Sequence, residues 1–173
     1  MNWETKIFQN HSNSSFEKLS LEIFRFQAKN NHIYKTYLSY LGVNPDEVKQ
    51  INQIPYLPIE FFKQENVVCK PNNIDTVFTS SGTSGMQSKH IVHDISIYEK
   101  SFTSGFEHFY GNIKDYTVLA LLPSYLERSG SSLIYMCEKL IKHSGEKESG
   151  FYLNEHKELN NLLLELELQN RKT

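Results

Sequence analysis

Seven consecutive residues, Thr79-Ser80-Ser81-Gly82-Thr83-Ser84-Gly85, concentrate hydroxyls and glycines as no other stretch of the chain does. Glycine lets backbone N–H groups approach a ligand closely, and serine and threonine add hydroxyl donors. Such a loop suits an anion, above all a phosphate; the same composition also makes an ordinary polar turn. The spacing excludes a Walker loop, because Gly82 and Gly85 are three apart and no Gly-Lys-Ser/Thr opens a helix. It is not Gly-x-Gly-x-x-Gly either. A second polar loop, Pro123 to Ser131, carries Arg128. Arg128 reads either as a partner for a carboxylate or phosphate or as a solvated cation paired with Glu127. Cys69 and Cys137 are far apart and form no Cys-x-x-Cys, so neither a disulfide framework nor a zinc site is expected. Cys137 falls on an apolar helix face and Cys69 at a strand end before Pro71, and both read as structural.

The elements that must position these residues are read from periodicity. Trp3, Ile7 and Phe8 recur at helical spacing, and Phe16, Leu19, Ile23, Phe24 and Phe26 continue it. The second of these helices runs to about Asn30 with Ser14 or Ser15 as its cap. A further helix spans Asn31 to Leu41, with Gly42 closing it. Pro55 and Pro58 force an extended run through Ile54–Ile59. Val67-Val68-Cys69 and Thr76–Thr79 read as strands, the latter entering the hydroxyl-rich loop and Lys89–His93 leaving it. A helix then runs to about Tyr110. Tyr116–Leu122 is apolar almost throughout, as expected of a strand buried on both faces. A helix over Ser132–His143, a short strand at Gly150–Leu153 and a last helix carrying Leu159, Leu162, Leu163 and Leu166 complete the chain.

The fold class expected is therefore α/β: a helical N-terminal segment over 1–65, then alternating strands and helices over 66–173 carrying the loop, together one continuous domain. Alternation of this kind favours a sheet with right-handed crossovers. Ligands in such sheets bind beyond the carboxyl ends of strands. The loops at Ser80–Ser88 and Pro123–Ser131 converge if their strands are neighbours. The 173 residues include 11 Phe and 10 Tyr, enough apolar material for a core. A net charge of −2 without a basic block disfavours nucleic-acid or membrane-surface binding. No apolar run approaches a membrane span, and the N-terminus has no basic-then-apolar signal pattern. A cytoplasmic protein is expected.

The loop then resembles something specific. Ser81-Gly82-Thr83-Ser84-Gly85, with Thr79 and Ser80 before it, is similar to the phosphate loop of adenylate-forming enzymes, which joins two strands and holds the phosphates of ATP. That loop usually ends Gly-x-Pro-Lys. Here Gly85 is followed by Met86-Gln87-Ser88-Lys89, without proline and with the lysine one place late. The departure resembles one branch, the LuxE-type acyl-protein synthetases, related to phenylacetate–CoA ligases. The likeness extends to Ser88-Lys89-His90, Leu122-Pro123-Ser124-Tyr125-Leu126-Glu127-Arg128, Ile54–Lys63 and Gly150-Phe151-Tyr152-Leu153. Matched segments in the expected order run from about residue 1 to about 160.

The resemblance implies an ATP-dependent ligase. A carboxylic acid, a fatty acid or another, is activated as its acyl-adenylate, and the acyl group then passes to a thiol. It implies a partial adenylate-forming N-terminal domain, ATP and Mg²⁺ as cofactors, no dedicated protein metal site, and Thr79, Ser80, Ser81, Gly82, Thr83, Ser84 and Gly85 as the phosphate cradle. Lys89 is either a cation beside the pyrophosphate or a surface lysine flanking a strand. His90 either lines the acyl or nucleotide pocket or is structural. The family's adenine and ribose contacts, lid lysine and acyl-accepting cysteine lie downstream of the matched segments, so neither Cys69 nor Cys137 inherits the acceptor role. The chain is expected to be the amino-terminal portion alone, a fragment inactive by itself or half of a split enzyme whose partners are a protein thiol acceptor or a second half. The alternative is a non-catalytic remnant that acts as a phosphate-binding or protein-interaction module.

Overall fold

The computed structural model describes residues 3–9, 12–69, 74–80, 87–123 and 129–173. The chain divides into two compact units, Met1–Ile95 and Ser96–Thr173. The passage from helices to strands near residue 65 is a change of element type inside the first unit.

Helices α1 (Trp3–Phe8), α2 (Asn13–Asn30) and α3 (His32–Tyr40) open the first unit. Helix α2 is capped by Ser12, not by Ser14 or Ser15 as expected. Ser12 Oγ accepts from the Ser15 N–H and Ser15 Oγ accepts from the Ser12 N–H, both at 3.2 Å. This reciprocal box satisfies two otherwise orphaned donors at once. Buried Asn31 ends one helix and starts the next: its N–H donates to the Gln27 carbonyl at 2.9 Å, while its Oδ1 accepts from the Tyr34 N–H at 3.1 Å. Gly42 takes φ +65° after α3. The Val43 N–H then reaches the Leu38 carbonyl and the Gly42 N–H the Ser39 carbonyl, the paired bonds of a glycine-terminated helix.

The core of this unit is Phe24, Ala28, Tyr34, Leu38 and Val48, with Leu21, Tyr37, Val43, Ile54 and Leu57 packed on it. The proline-flanked run is held there by the Tyr34 hydroxyl, which donates to the Pro55 carbonyl at 2.6 Å. Burial pushes the Tyr34 phenol up to about 12. One helical turn, α4 (Phe61–Gln64), comes next. Val67–Cys69 forms no strand, against expectation: no neighbour among the described residues offers it a ladder, and β-branched composition alone does not supply one. Strands β1 (Thr76–Thr79) and β2 (Lys89–Val92) pair antiparallel.

Helix α5 (Ile95–Tyr110) leads into the second unit, which continues with β3 (Leu119–Ala120), α6 (Ser132–Ser144), β4 (Gly150–Phe151) and α7 (His156–Leu168). Strands β3 and β4 are parallel with α6 between them, so the expected crossover unit is present. The sheets among the described residues are two-stranded, one in each unit. The strand expected over Tyr116–Leu122 is cut short. The Gly150 and Tyr152 N–H groups bond the Val118 and Ala120 carbonyls, and the Thr117 N–H bonds the Lys172 carbonyl. Among the described residues partners thus extend only to Ala120, and Leu121 is 55% exposed rather than buried. The apolar residues buried in this unit include Ile113, Ala120, Ile134, Leu140 and Leu166. No helix among the described residues is long and apolar enough to cross a membrane.

Candidate functional site

The hydroxyl-rich loop is the connection of the β1–β2 hairpin. Ser81, Gly82, Thr83, Ser84 and Gly85 lie outside the described residues, as does Met86, but both sides of the neck are described. The register pairs Thr76 with Val92, Val77 with Ile91, Phe78 with His90 and Thr79 with Lys89. One step further, the Ser80 N–H donates to the Ser88 carbonyl at 3.1 Å. That bond makes Ser80 and Ser88 a hydrogen-bonded pair. Antiparallel ladders alternate, so Thr79 and Lys89 are the non-hydrogen-bonded pair, the kind whose side chains stand closest. The hydroxyl of Thr79 and the ammonium of Lys89 therefore share one face at the mouth of the loop. Lys89 is exposed and makes no ion pair among the described residues.

His90 belongs to the opposite face. It sits beside buried Phe78, and its ring stacks on Phe62 of α4 with centroids 6.3 Å apart. The register thus puts Thr79 and Lys89 on one face and His90 on the other, with Ser80 bonded to Ser88 one step further along. At the far end of the hairpin Asp75 ties the strands to the start of α5. Its N–H donates to the Val92 carbonyl at 2.9 Å, and its Oδ2 accepts from the Ile95 N–H, the first of α5, at 3.0 Å. The hairpin is therefore anchored at both ends. One residue at the neck escapes a reading of composition: Ser88, whose pairing with Ser80 emerges only once both strand ends are known.

Arg128 and the preceding Ser124–Glu127 lie outside the described residues. Among the described residues β1 pairs with β2 and β3 with β4, and the two loops belong to different units. After the second loop, Ser131 Oγ accepts from the Ile134 N–H and caps α6. A cluster that sequence reasoning missed ties α5 to α6. The Tyr98 hydroxyl donates to the Ser132 carbonyl at 3.0 Å, the Tyr135 hydroxyl donates to Glu99 Oε1 at 2.5 Å, and Lys139 Nζ lies 2.7 Å from the same oxygen. Hydrogen bonds from Lys139 and Tyr135 hold the Glu99 carboxyl below its ordinary range, and Glu99 in turn raises Lys139. Burial, then Glu99, raises the Tyr135 phenol. Tyr135 and Lys139 are four apart on one helix, which sequence does show; their common partner on another helix it does not.

Burial pushes the Cys137 thiol up, and the Cys69 thiol donates to Gln27 Oε1 at 3.0 Å. No cluster of three metal-ligating side chains occurs among the described residues.

A family model described as acyl-protein synthetase, LuxE, matches residues 6–115, which include the whole hairpin. A long-chain-fatty-acid–luciferin-component ligase of Photorhabdus luminescens is 35% identical over 74 residues, covering 42% of this chain and 63% of that protein. The chain thus matches less than two thirds of the length of this relative. No solved structure matches.

Proposed function

The chain belongs to the LuxE acyl-protein synthetase family, and from that membership we propose that it is the amino-terminal part of an ATP-dependent enzyme that activates a long-chain fatty acid for transfer to a thiol. The carboxylate oxygen of the acid attacks the α-phosphorus of ATP, the bond to pyrophosphate breaks, and an acyl-adenylate forms. A thiolate then attacks the acyl carbonyl and AMP leaves. The fatty acid is taken from the name of the Photorhabdus relative. The acceptor would be a protein cysteine outside this chain's two. Such a domain would be an adenylate-forming one, placed in the cytoplasm where ATP is supplied.

The observation that carries this reading is the neck of the hairpin. A hydroxyl from Thr79 and an ammonium from Lys89 face the same way at the mouth of a loop of serines, threonines and glycines. Negative charge builds on the pyrophosphate as the α–β bridge breaks. Preoriented donors and a cation there lower that barrier, because they need no reorganisation when the charge appears. Thr79 and Ser81 through Gly85 would hold the phosphates, and Lys89 would balance their charge. Mg²⁺ would arrive with the nucleotide and neutralise phosphate charge, as it commonly does where the protein supplies few carboxylates.

The test begins with thermal denaturation in ATP and Mg²⁺, followed by pyrophosphate release with long-chain fatty acids. ATP is expected to raise the melting temperature of the wild type. Replacing Thr83 and Ser84 together by alanine abolishes the shift, and Lys89→Ala weakens ATP binding about tenfold, the worth of one charge-assisted hydrogen bond. A wild type indifferent to ATP overturns the reading for this chain, and a double variant that still responds moves the site elsewhere.

A second reading is favoured by one observation: within the second unit Phe109 is 79% exposed and Leu168 is 89% exposed. Side chains of that size left in water suit a subunit that a partner polypeptide covers, whether as the other half of a split enzyme or around a non-catalytic remnant. Under this reading, a chain that is monodisperse by sedimentation and binds no hydrophobic dye counts against the partner.

A further inference from the structure

The bond that closes the hairpin neck is not a regular ladder bond. In a hydrogen-bonded antiparallel pair each residue donates its N–H to the other's carbonyl. Ser80 and Ser88 keep the first half: the Ser80 N–H reaches the Ser88 carbonyl at 3.1 Å. The second half is changed. The Ser88 N–H donates at 3.0 Å to the hydroxyl of Ser80. The side chain has taken the place that the Ser80 carbonyl holds in a continued strand. The chain can therefore leave the ladder at Ser80 while both strands stay joined one step beyond Thr79 and Lys89.

We propose that Ser80 is a positioning residue, whose hydroxyl clamps the loop neck through the Ser88 N–H, and not a phosphate ligand like the hydroxyls after it. Its oxygen accepts from the Ser88 N–H at 3.0 Å, which ties the direction of the side chain to the neck, although the O–H itself stays free to donate. Removing the hydroxyl leaves the Ser88 N–H to water and loosens the mouth on which Thr79 and Lys89 stand. The chemistry also says what can replace it. Threonine keeps the hydroxyl and suits strand backbone, whereas alanine does not. Proline at 88 keeps the carbonyl that accepts from Ser80 but has no N–H to give. The functional consequence rests on the phosphate-loop reading; the clamp itself does not.

The experiment therefore has two independent readouts on the full chain. The first is hydrogen exchange of the Ser88 amide by NMR without nucleotide. Ser80→Ala is expected to speed it about tenfold, as one local hydrogen bond opens, and Ser80→Thr to restore protection. The second is ATP affinity by titration. Ser80→Ala and Ser88→Pro are each expected to weaken binding about tenfold, Ser80→Thr to bind as wild type, and the double variant Ser80→Ala/Ser88→Pro to lose no more than either single change, since both break one bond. Additive losses, or a full loss in Ser80→Ala with none in Ser88→Pro, make Ser80 a direct ligand and overturn the proposal. Unchanged Ser88 exchange in Ser80→Ala overturns the clamp itself. Should Ser88→Pro not fold, the alanine and threonine pair decides by exchange alone. A wild type that binds no ATP, with Ser88 exchange still governed by Ser80, removes the phosphate reading and leaves the clamp as a feature of the hairpin.

Discussion

Lys89 shows what a single residue's surroundings decide. Its sequence position admits a phosphate partner or a surface lysine equally, and the ladder register distinguishes the two faces of the strand. Lys89 shares its face with Thr79, while His90, one residue on, stacks against Phe62. The alternation is legible in sequence; which face meets α4 is not, because Phe62 is brought there by the fold. Glu99 is a second case. Its carboxyl is held below its ordinary 4.5 by Lys139 and then Tyr135. A carboxyl whose folded value is depressed adds stability above its unfolded value and loses it as pH falls through the folded one. Lys139, raised by Glu99, adds stability below its ordinary 10.5 and loses it as pH rises through its folded value. Between these limits the pair contributes fully. Glu99→Gln is expected to flatten the fall in stability on the acid side of pH 4.5. Both side chains are about one-third exposed, so solvent screening keeps the effect small. Denaturant midpoints measured from about pH 3 to about pH 7 check it; identical acid limbs for variant and wild type would remove Glu99 from the account.

Among the elements, helices are more legible in the sequence than strands, for a reason of range. Asn13–Asn30, His32–Tyr40 and Ser132–Ser144 hold their bonds within a few residues, so apolar spacing and caps declare them. Strands need a partner that sequence does not name. Val67–Cys69 has strand composition and no strand partner among the described residues, whereas Tyr116–Leu122 has partners over only part of its length. Capping carries a prediction at this scale. Ser12 and Asn31 each cap a helix, but Ser12 is exposed and Asn31 is buried at the α2–α3 corner. Ser12→Ala is expected to cost about 1 kcal/mol. Asn31→Ala should cost more, about 2 kcal/mol or above, since it strands the buried Tyr34 N–H without water. Urea unfolding of both variants gives the comparison, and equal losses would mean that burial at the corner adds nothing.

At the scale of the whole molecule, two units each carry their own buried residues. Trp3 is the single tryptophan and packs edge-on against Phe26, so its fluorescence reports on the first unit. Leu38 is 2% exposed in that unit's core. Leu38→Ala is expected to cost about 2–5 kcal/mol, the transfer of the lost methyl groups plus the cavity left behind. The Trp3 transition should move to correspondingly lower denaturant; an unmoved transition would show that Leu38 is not central to the unit that Trp3 reads. Sequence by itself determined the family, through ordered matched segments, together with most helices and the two strands that flank the hydroxyl-rich stretch. These depend on local spacing and on residue types that one chemistry selects. Tertiary structure alone decided that β1 pairs with β2 and β3 with β4, that Lys89 faces with Thr79 while His90 turns to Phe62, and that the Ser80 hydroxyl engages Ser88. Each of these joins residues distant in the chain, and a bond between distant residues exists only once backbone register has set them opposite one another.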